Sequence, residues 1–254
     1  PAALHHQGPL DNAPGWVLYN AILEAADTEL ARLFSSVSPE QAARTTVIVL
    51  GDNGTPREAI VPPFDPLKDK GTMYEGGIRV PLIVSGPLVT QPGTQSLALV
   101  HVNDVFATIS EIAGVRTSSL RWEHGQAGDG PDTGRPPRTG PVQIDGRTLL
   151  PFLSQPHFVD HRREFLYTER FSPNGQTEGA GSHQRTIRNR THKLLVDVVE
   201  QVEELWEITP RVPDEGPGLI GTNQVLTQDQ LDSYADLTLA LEAQVSALSY
   251  DHEP

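Results

Sequence analysis

Residues 45–50, TTVIVL, form an apolar, β-branched run that does not alternate with polar residues and stops at Gly51, Asp52, Asn53 and Gly54. Such a run suits a strand covered on both faces, as in a parallel sheet. A helix is expected before it, because Tyr19, Ile22, Leu23, Ala26, Leu30, Leu33, Phe34 and Val37 recur at helical spacing. Helix followed by buried strand is the signature of an α/β protein. In open α/β sheets ligands collect beyond the carboxyl ends of the strands. The acid and amide that end this run therefore mark a candidate site.

Eighteen residues after Asp52 comes the segment KGTMYEGGIRVPLIVSGP, which begins at Lys70 and carries the glycine pair Gly76 and Gly77. Residues 80–84 within it read as a second buried strand, interrupted by Pro81 and stopped by Gly86 and Pro87. A helix is expected next, with Val102, Val105, Phe106, Ile109 and Ile112 on one face and Gly114 as its C-terminal glycine. Residues 116–143 are rich in Gly, Pro, Arg and Thr without periodicity and read as a surface insertion. Beyond residue 160 the texture changes. REFLYTER, QRTIRNRTHKLLVDVV and VEELWEI read as antiparallel strands, the middle one bent into a hairpin near Asn189 and Arg190. A last helix is expected from Thr227, with Gln230 completing a capping box and Leu231, Tyr234, Leu237, Leu241 and Leu248 forming its apolar stripe. We expect two domains, an α/β part over residues 1–160 and a small α+β part over 161–254.

Asp52 beside Asn53 offers hard oxygen ligands of modest charge, which suit Ca2+ or Mg2+. The same Asp-Asn-Gly triplet is also favourable turn chemistry. Lys70 can serve as a point charge for a sulfuryl or phosphoryl group, with Gly76 and Gly77 allowing close backbone approach; the alternative is a solvated loop lysine. Glu75 and Arg79 read as structural, Trp206 as a core anchor, and the pair Glu203–Glu204 as a solvated edge. His5 and His6 lie in the opening loop, and the remaining histidines have no ligand-like spacing.

The order of these segments is more specific than any one of them. TTVIVLGDNG, KGTMYEGGIRVPLIVSGP, HVNDVFATISEIAG, DGRTLLPFL, YTER, RTIRNRTHKLL and EELWEI, in that succession, closely resemble the C-terminal half of the sulfatase family, within the alkaline-phosphatase superfamily. The resemblance runs from about Tyr19 to Ile208 and is sharpest over residues 47–87. It implies a partial alkaline-phosphatase-like α/β/α sandwich, its sheet mostly parallel, with a small C-terminal antiparallel sheet plus helix. It implies a sulfuric ester hydrolase in which Asp52 and Asn53 are metal ligands, usually to Ca2+ with Mg2+ possible, and Lys70 contacts the sulfate. It also implies a sulfate-ester small molecule or sulfated sugar as substrate, and a periplasmic or secreted setting.

The family nucleophile is a formylglycine made from a C/S-x-P-x-R motif, and no such motif occurs in the 254 residues. GRPPR at 134–138 has glycine in the nucleophile's place, and the paired aspartates that complete the family's metal site are missing as well. The formylglycine is expected only in an N-terminal half that this sequence lacks, and the opening loop is not assigned the family's histidine role. No catalytic residue is therefore assigned, and the chain is expected to be inactive alone and to need that half. A phosphodiesterase or phosphonate hydrolase of the same superfamily is the alternative, although Asn53 favours the sulfatase. A non-catalytic module that binds sulfated glycans or a partner chain is another.

The net charge of −14 argues against nucleic acid as a partner. The apolar runs are too short to span a membrane, no signal peptide is expected in PAALHHQGPLDN, and the absence of cysteine excludes disulfides and thiolate metal sites.

Overall fold

A computed structural model describes residues 10–116, 119–122, 140–142, 144–160, 163–172, 181–209, 215–216, 218–220 and 225–250. His5, His6 and the GRPPR segment lie outside the described residues. The chain divides into two compact units, Pro1–Pro87 together with His161–Pro254, and Leu88–Asp160. The borders of the division fall after residues 87 and 160.

In the first unit, helix α1 (Gly15–Ser35) is followed by a single-turn helix α2 (Pro39–Ala42), which Ser38 and Gln41 close with a reciprocal capping box. Strand β1 (Val47–Leu50) pairs with β2 (Leu82–Ser85), and between them lies the short helix α3 (Glu75–Ile78). The pairing is antiparallel, Val47 opposite Ser85 and Leu50 opposite Leu82. This corrects the expected parallel arrangement, since every pairing among the described residues is antiparallel. An unalternating apolar run reports a demand for burial and carries no information about strand direction. Nor is that demand met: Val49, Leu50 and Ile83 are exposed, and α1 buries none of its residues.

The C-terminal part forms as expected. Strands β5 (Leu166–Ser172), β6 (Ser182–Arg188), β7 (His192–Asp197) and β8 (Val202–Glu207) make one antiparallel sheet in sequence order. The β6–β7 hairpin turns at Asn189, whose side chain accepts from the amides of Thr191 and His192. Helix α6 (Gln228–Tyr250) begins with the predicted reciprocal bonds between Thr227 and Gln230. Side chains alternate across a strand, so the sheet has two distinct faces. Ile187, Leu194 and Leu205 stand opposite one another on the first and form a core with Leu219 and with Leu237 and Leu241 of α6. Burying each such side chain stabilises by about 1.5–3 kcal/mol. The second face carries the cross-strand row Arg188, Lys193 and Trp206.

In the second unit, helix α4 (Asn103–Ile112) ends at Gly114 in the left-handed conformation. Asp104 is buried and accepts from the amides of His101 and Arg147 at 2.7 and 2.8 Å. Thr108 accepts from the Leu149 amide at 2.8 Å. Its buried face is thus the one with Asp104, Ala107, Thr108 and Ser110, while Phe106, Ile109 and Ile112 are about half exposed. The expected apolar stripe exists but points outward. Strands β3 (Arg121–Trp122) and β4 (Gly140–Pro141) pair across the insertion, and α5 (Leu150–Ser154) closes the unit. Among the described residues, no helix is long and apolar enough to cross a membrane.

Candidate active site

The loop that leaves β1 is tied to the glycine-rich segment at three points. The amide of Gly51 donates to the Pro81 carbonyl at 3.0 Å, that of Gly54 to the Gly77 carbonyl at 2.9 Å, and that of Lys70 to the Thr55 carbonyl at 2.9 Å. Gly54 is where the two segments touch. A Cβ there would lie inside the van der Waals radius of the Gly76 carbonyl oxygen, so any side chain would push the loops apart. Backbone hydrogen bonds therefore bring the predicted ligands Asp52 and Asn53 and the predicted cation Lys70 to one rim, although eighteen residues separate them in sequence.

Asp52 and Lys70 are exposed and Asn53 is half-buried. Among the described residues, no hydrogen bond or ion pair engages the side chain of any of the three. Lys68, two residues away, behaves differently. Its ammonium lies 4.3 Å from the centre of the Trp206 ring and 3.5 Å from Glu215. Of the two lysines, Lys70 is the one whose charge meets no partner among the described residues.

The oxygens of Asp52 and Asn53 are the right kind for a hard cation. Two of them do not complete a shell of six to eight, and no group of three or more His, Cys, Asp or Glu able to hold a metal occurs among the described residues. The donor chemistry fits Ca2+ or Mg2+; the donor number falls short of a complete site.

What supports the rim is electrostatic, and most of it was not anticipated. Glu75 is buried, as a structural role requires. Its Oε1 accepts from the Lys193 ammonium at 3.1 Å and its Oε2 from Arg188 at 2.6 Å. Lys193 also donates to Glu215 at 3.0 Å, and the same Glu215 oxygen accepts the Glu75 amide at 2.6 Å. Glu204 corrects the expectation of a solvated edge. It accepts from the Tyr74 hydroxyl at 2.9 Å and from the Trp206 indole at 3.0 Å. Burial first, and then the bond to Glu204, push the Tyr74 hydroxyl well above the ordinary phenol range and keep it a neutral donor. Trp206 is half-buried, meeting Tyr74 edge-on at 5.9 Å. The only forewarning of this layer lay in the alternation of Ile187 with Arg188 and of Lys193 with Leu194.

Residues 17–115 match the family model Sulfatase. The chain is 34% identical over 244 residues to a "Sulfatase" of Formosa agariphila, covering 90% of this chain and 39% of that protein. It is 23% identical over 230 residues to the "Steryl-sulfatase" of Mus musculus, covering 76% and 34% respectively. Among solved structures, BT4656, determined in complex with its substrate D-glucosamine-2-N,6-O-disulfate, superposes with a TM-score of 0.64 at 20% identity, over 93% of this chain and 41% of that one. The phosphonate monoester hydrolase SpPMH of Silicibacter pomeroyi gives 0.60 at 19% identity, over 93% and 41%. These likenesses carry the alkaline-phosphatase-like α/β fold, and the chain spans less than half the length of these relatives. With the glycine-tied rim of Asp52, Asn53 and Lys70 falling inside the matched segment, the chain belongs to the sulfatase family.

Proposed function

We propose that this chain supplies the metal-and-sulfate rim of a sulfuric ester hydrolase. Asp52 and Asn53 would give two oxygen ligands to Ca2+, with Mg2+ as the smaller alternative. Lys70 would hold the sulfuryl oxygens as a point charge. When bound, such a cation polarises the sulfuryl group and stabilises charge on the attacking oxygen. The residues of this chain bind and orient; without a C/S-x-P-x-R motif they include no family nucleophile. Turnover by the 254 residues alone is therefore not expected.

The observation that carries this reading is the triple backbone tie between the Asp52–Asn53 loop and the segment from Lys70 to Pro81, with no hydrogen bond or ion pair to any of the three polar side chains among the described residues. The disulfated glucosamine bound by BT4656 supports a sulfated sugar or similar sulfate ester as substrate. SpPMH keeps a phosphonate ester as the second reading, with Asn53 favouring sulfate. By the family's habit the setting would be periplasmic or secreted. The test uses an active sulfatase that contains this chain. Lys70→Ala is expected to reduce sulfate-ester turnover about tenfold or more, and activity within about twofold of the parent would remove Lys70 from the site. Faster turnover of an aryl phosphonate than of an aryl sulfate would select the second reading.

A further inference from the structure

We propose that Lys193 is a positioning residue for this rim, acting at a distance through Glu75; the proposal rests on the sulfatase reading of the Asp52–Asn53 loop. Lys193 lies on β7, more than a hundred residues after the candidate ligands, and its side chain is 0% exposed. A fully buried ammonium is stable only where carboxylates replace its water. Here Glu75 Oε1 and Glu215 Oε1 do so at 3.1 and 3.0 Å. Glu215 Oε1 also accepts the backbone amide of Glu75, so the first residue of α3 is held by side chain and main chain alike. Arg188 and Arg79 hold the other Glu75 oxygen, and Lys68 faces the other Glu215 oxygen.

The hold passes on through the two residues after Glu75. Gly76 and Gly77 are packed so closely that a Cβ on either would collide with the backbone carbonyls of Lys68 or Thr72, which leaves α3 no room to slide against residues 68–72. Gly77 in turn accepts the Gly54 amide, and Gly54 follows Asp52 and Asn53 directly. The path Lys193, Glu75, Gly77, Gly54 is thus continuous in hydrogen bonds and covalent bonds. If Lys193 is removed, two buried carboxylates face each other without their shared cation. The simplest relief moves Glu75 away from Glu215 and loosens the Gly77–Gly54 bond. Groups that orient metal ligands from behind typically cost about 10–100-fold in metal affinity or activity when lost.

The test is residue-resolved amide hydrogen exchange on the chain itself, with no metal or sulfate present, comparing wild type with Lys193→Met. The Gly54 amide is expected to lose at least about tenfold more protection than the amides of Leu194 and Leu205, which report the sheet as a whole. Unchanged Gly54 protection, or a loss no greater than that of the two sheet amides, would overturn the proposal. If Lys193→Met does not fold, Glu215→Gln carries the same comparison with the same two outcomes. Because the readout involves no ligand, failure of the sulfatase reading, seen as unchanged sulfate-ester turnover in the Lys70→Ala variant of an active sulfatase that contains this chain, is separable from failure of this one.

Discussion

The amide of Gly54 donates to the carbonyl of Gly77 at 2.9 Å, across a gap too narrow for a Cβ. Through that contact the end of β1 and the glycine-rich segment form one rim. Substitution of Gly54 by Ala is expected to cost about 1–3 kcal/mol, because backbone must move to admit the methyl group. Denaturant unfolding of the variant measures this, and a cost below about 0.5 kcal/mol would mean that the two segments are not in contact.

Lys68 and Lys70 differ in what their side chains touch. Lys68 packs against the Trp206 ring and pairs with buried Glu215, so Lys68→Ala is expected to destabilise by about 2 kcal/mol. Lys70 engages no partner among the described residues, and Lys70→Ala should change stability by no more than about 0.5 kcal/mol. Thermal melts of both variants give the comparison; a Lys70 variant as unstable as the Lys68 variant would contradict the assignment.

Burial decides which apolar residues matter. Leu237 of α6 is fully buried against the sheet, and Leu237→Ala should cost about 2–5 kcal/mol. Ile109 of α4 has equally helical spacing but is 53% exposed, so Ile109→Ser should cost less than about 1 kcal/mol in the isolated chain. Equal costs would show that the α4 stripe is buried after all.

A pH dependence follows from Glu169. Burial acts to raise its pKa, but bonds from His183 at 2.6 Å and Arg185 at 3.0 Å outweigh it and hold the carboxyl below its ordinary value. The unfolded chain then binds more protons than the folded one below about pH 5, so stability falls as acid titrates Glu169 through its lowered folded value. Thermal melts from pH 6 to 3 should show a shallower acid loss in Glu169→Gln than in wild type. An identical slope would remove Glu169 from that dependence.

Local signals were legible in the sequence, and partnerships across long stretches were not. The Thr227–Gln230 box, the turn at Asn189 and the Gly114 cap are each set by neighbours a few residues apart. The direction of β1 against β2 was not readable, because periodicity reports burial and not orientation. A lysine in a strand reads as solvated. Only the return of Glu75 and Glu215 to the second face of the sheet makes Lys193 a buried residue. Asp52, Asn53 and Lys70 are candidates through the order of family motifs; their side chains do nothing locally that spacing alone would reveal.

We propose that Asp52, Asn53 and Lys70 share one rim, and titration with Mn2+, a paramagnetic cation that favours oxygen ligands, tests this through broadening of backbone amide resonances. The amides of residues 52–55 and 70–72 should broaden together at the lowest Mn2+ concentrations, and both effects should vanish in Asp52→Ala. Broadening at residues 52–55 that leaves 70–72 untouched, or that survives in Asp52→Ala, would contradict it.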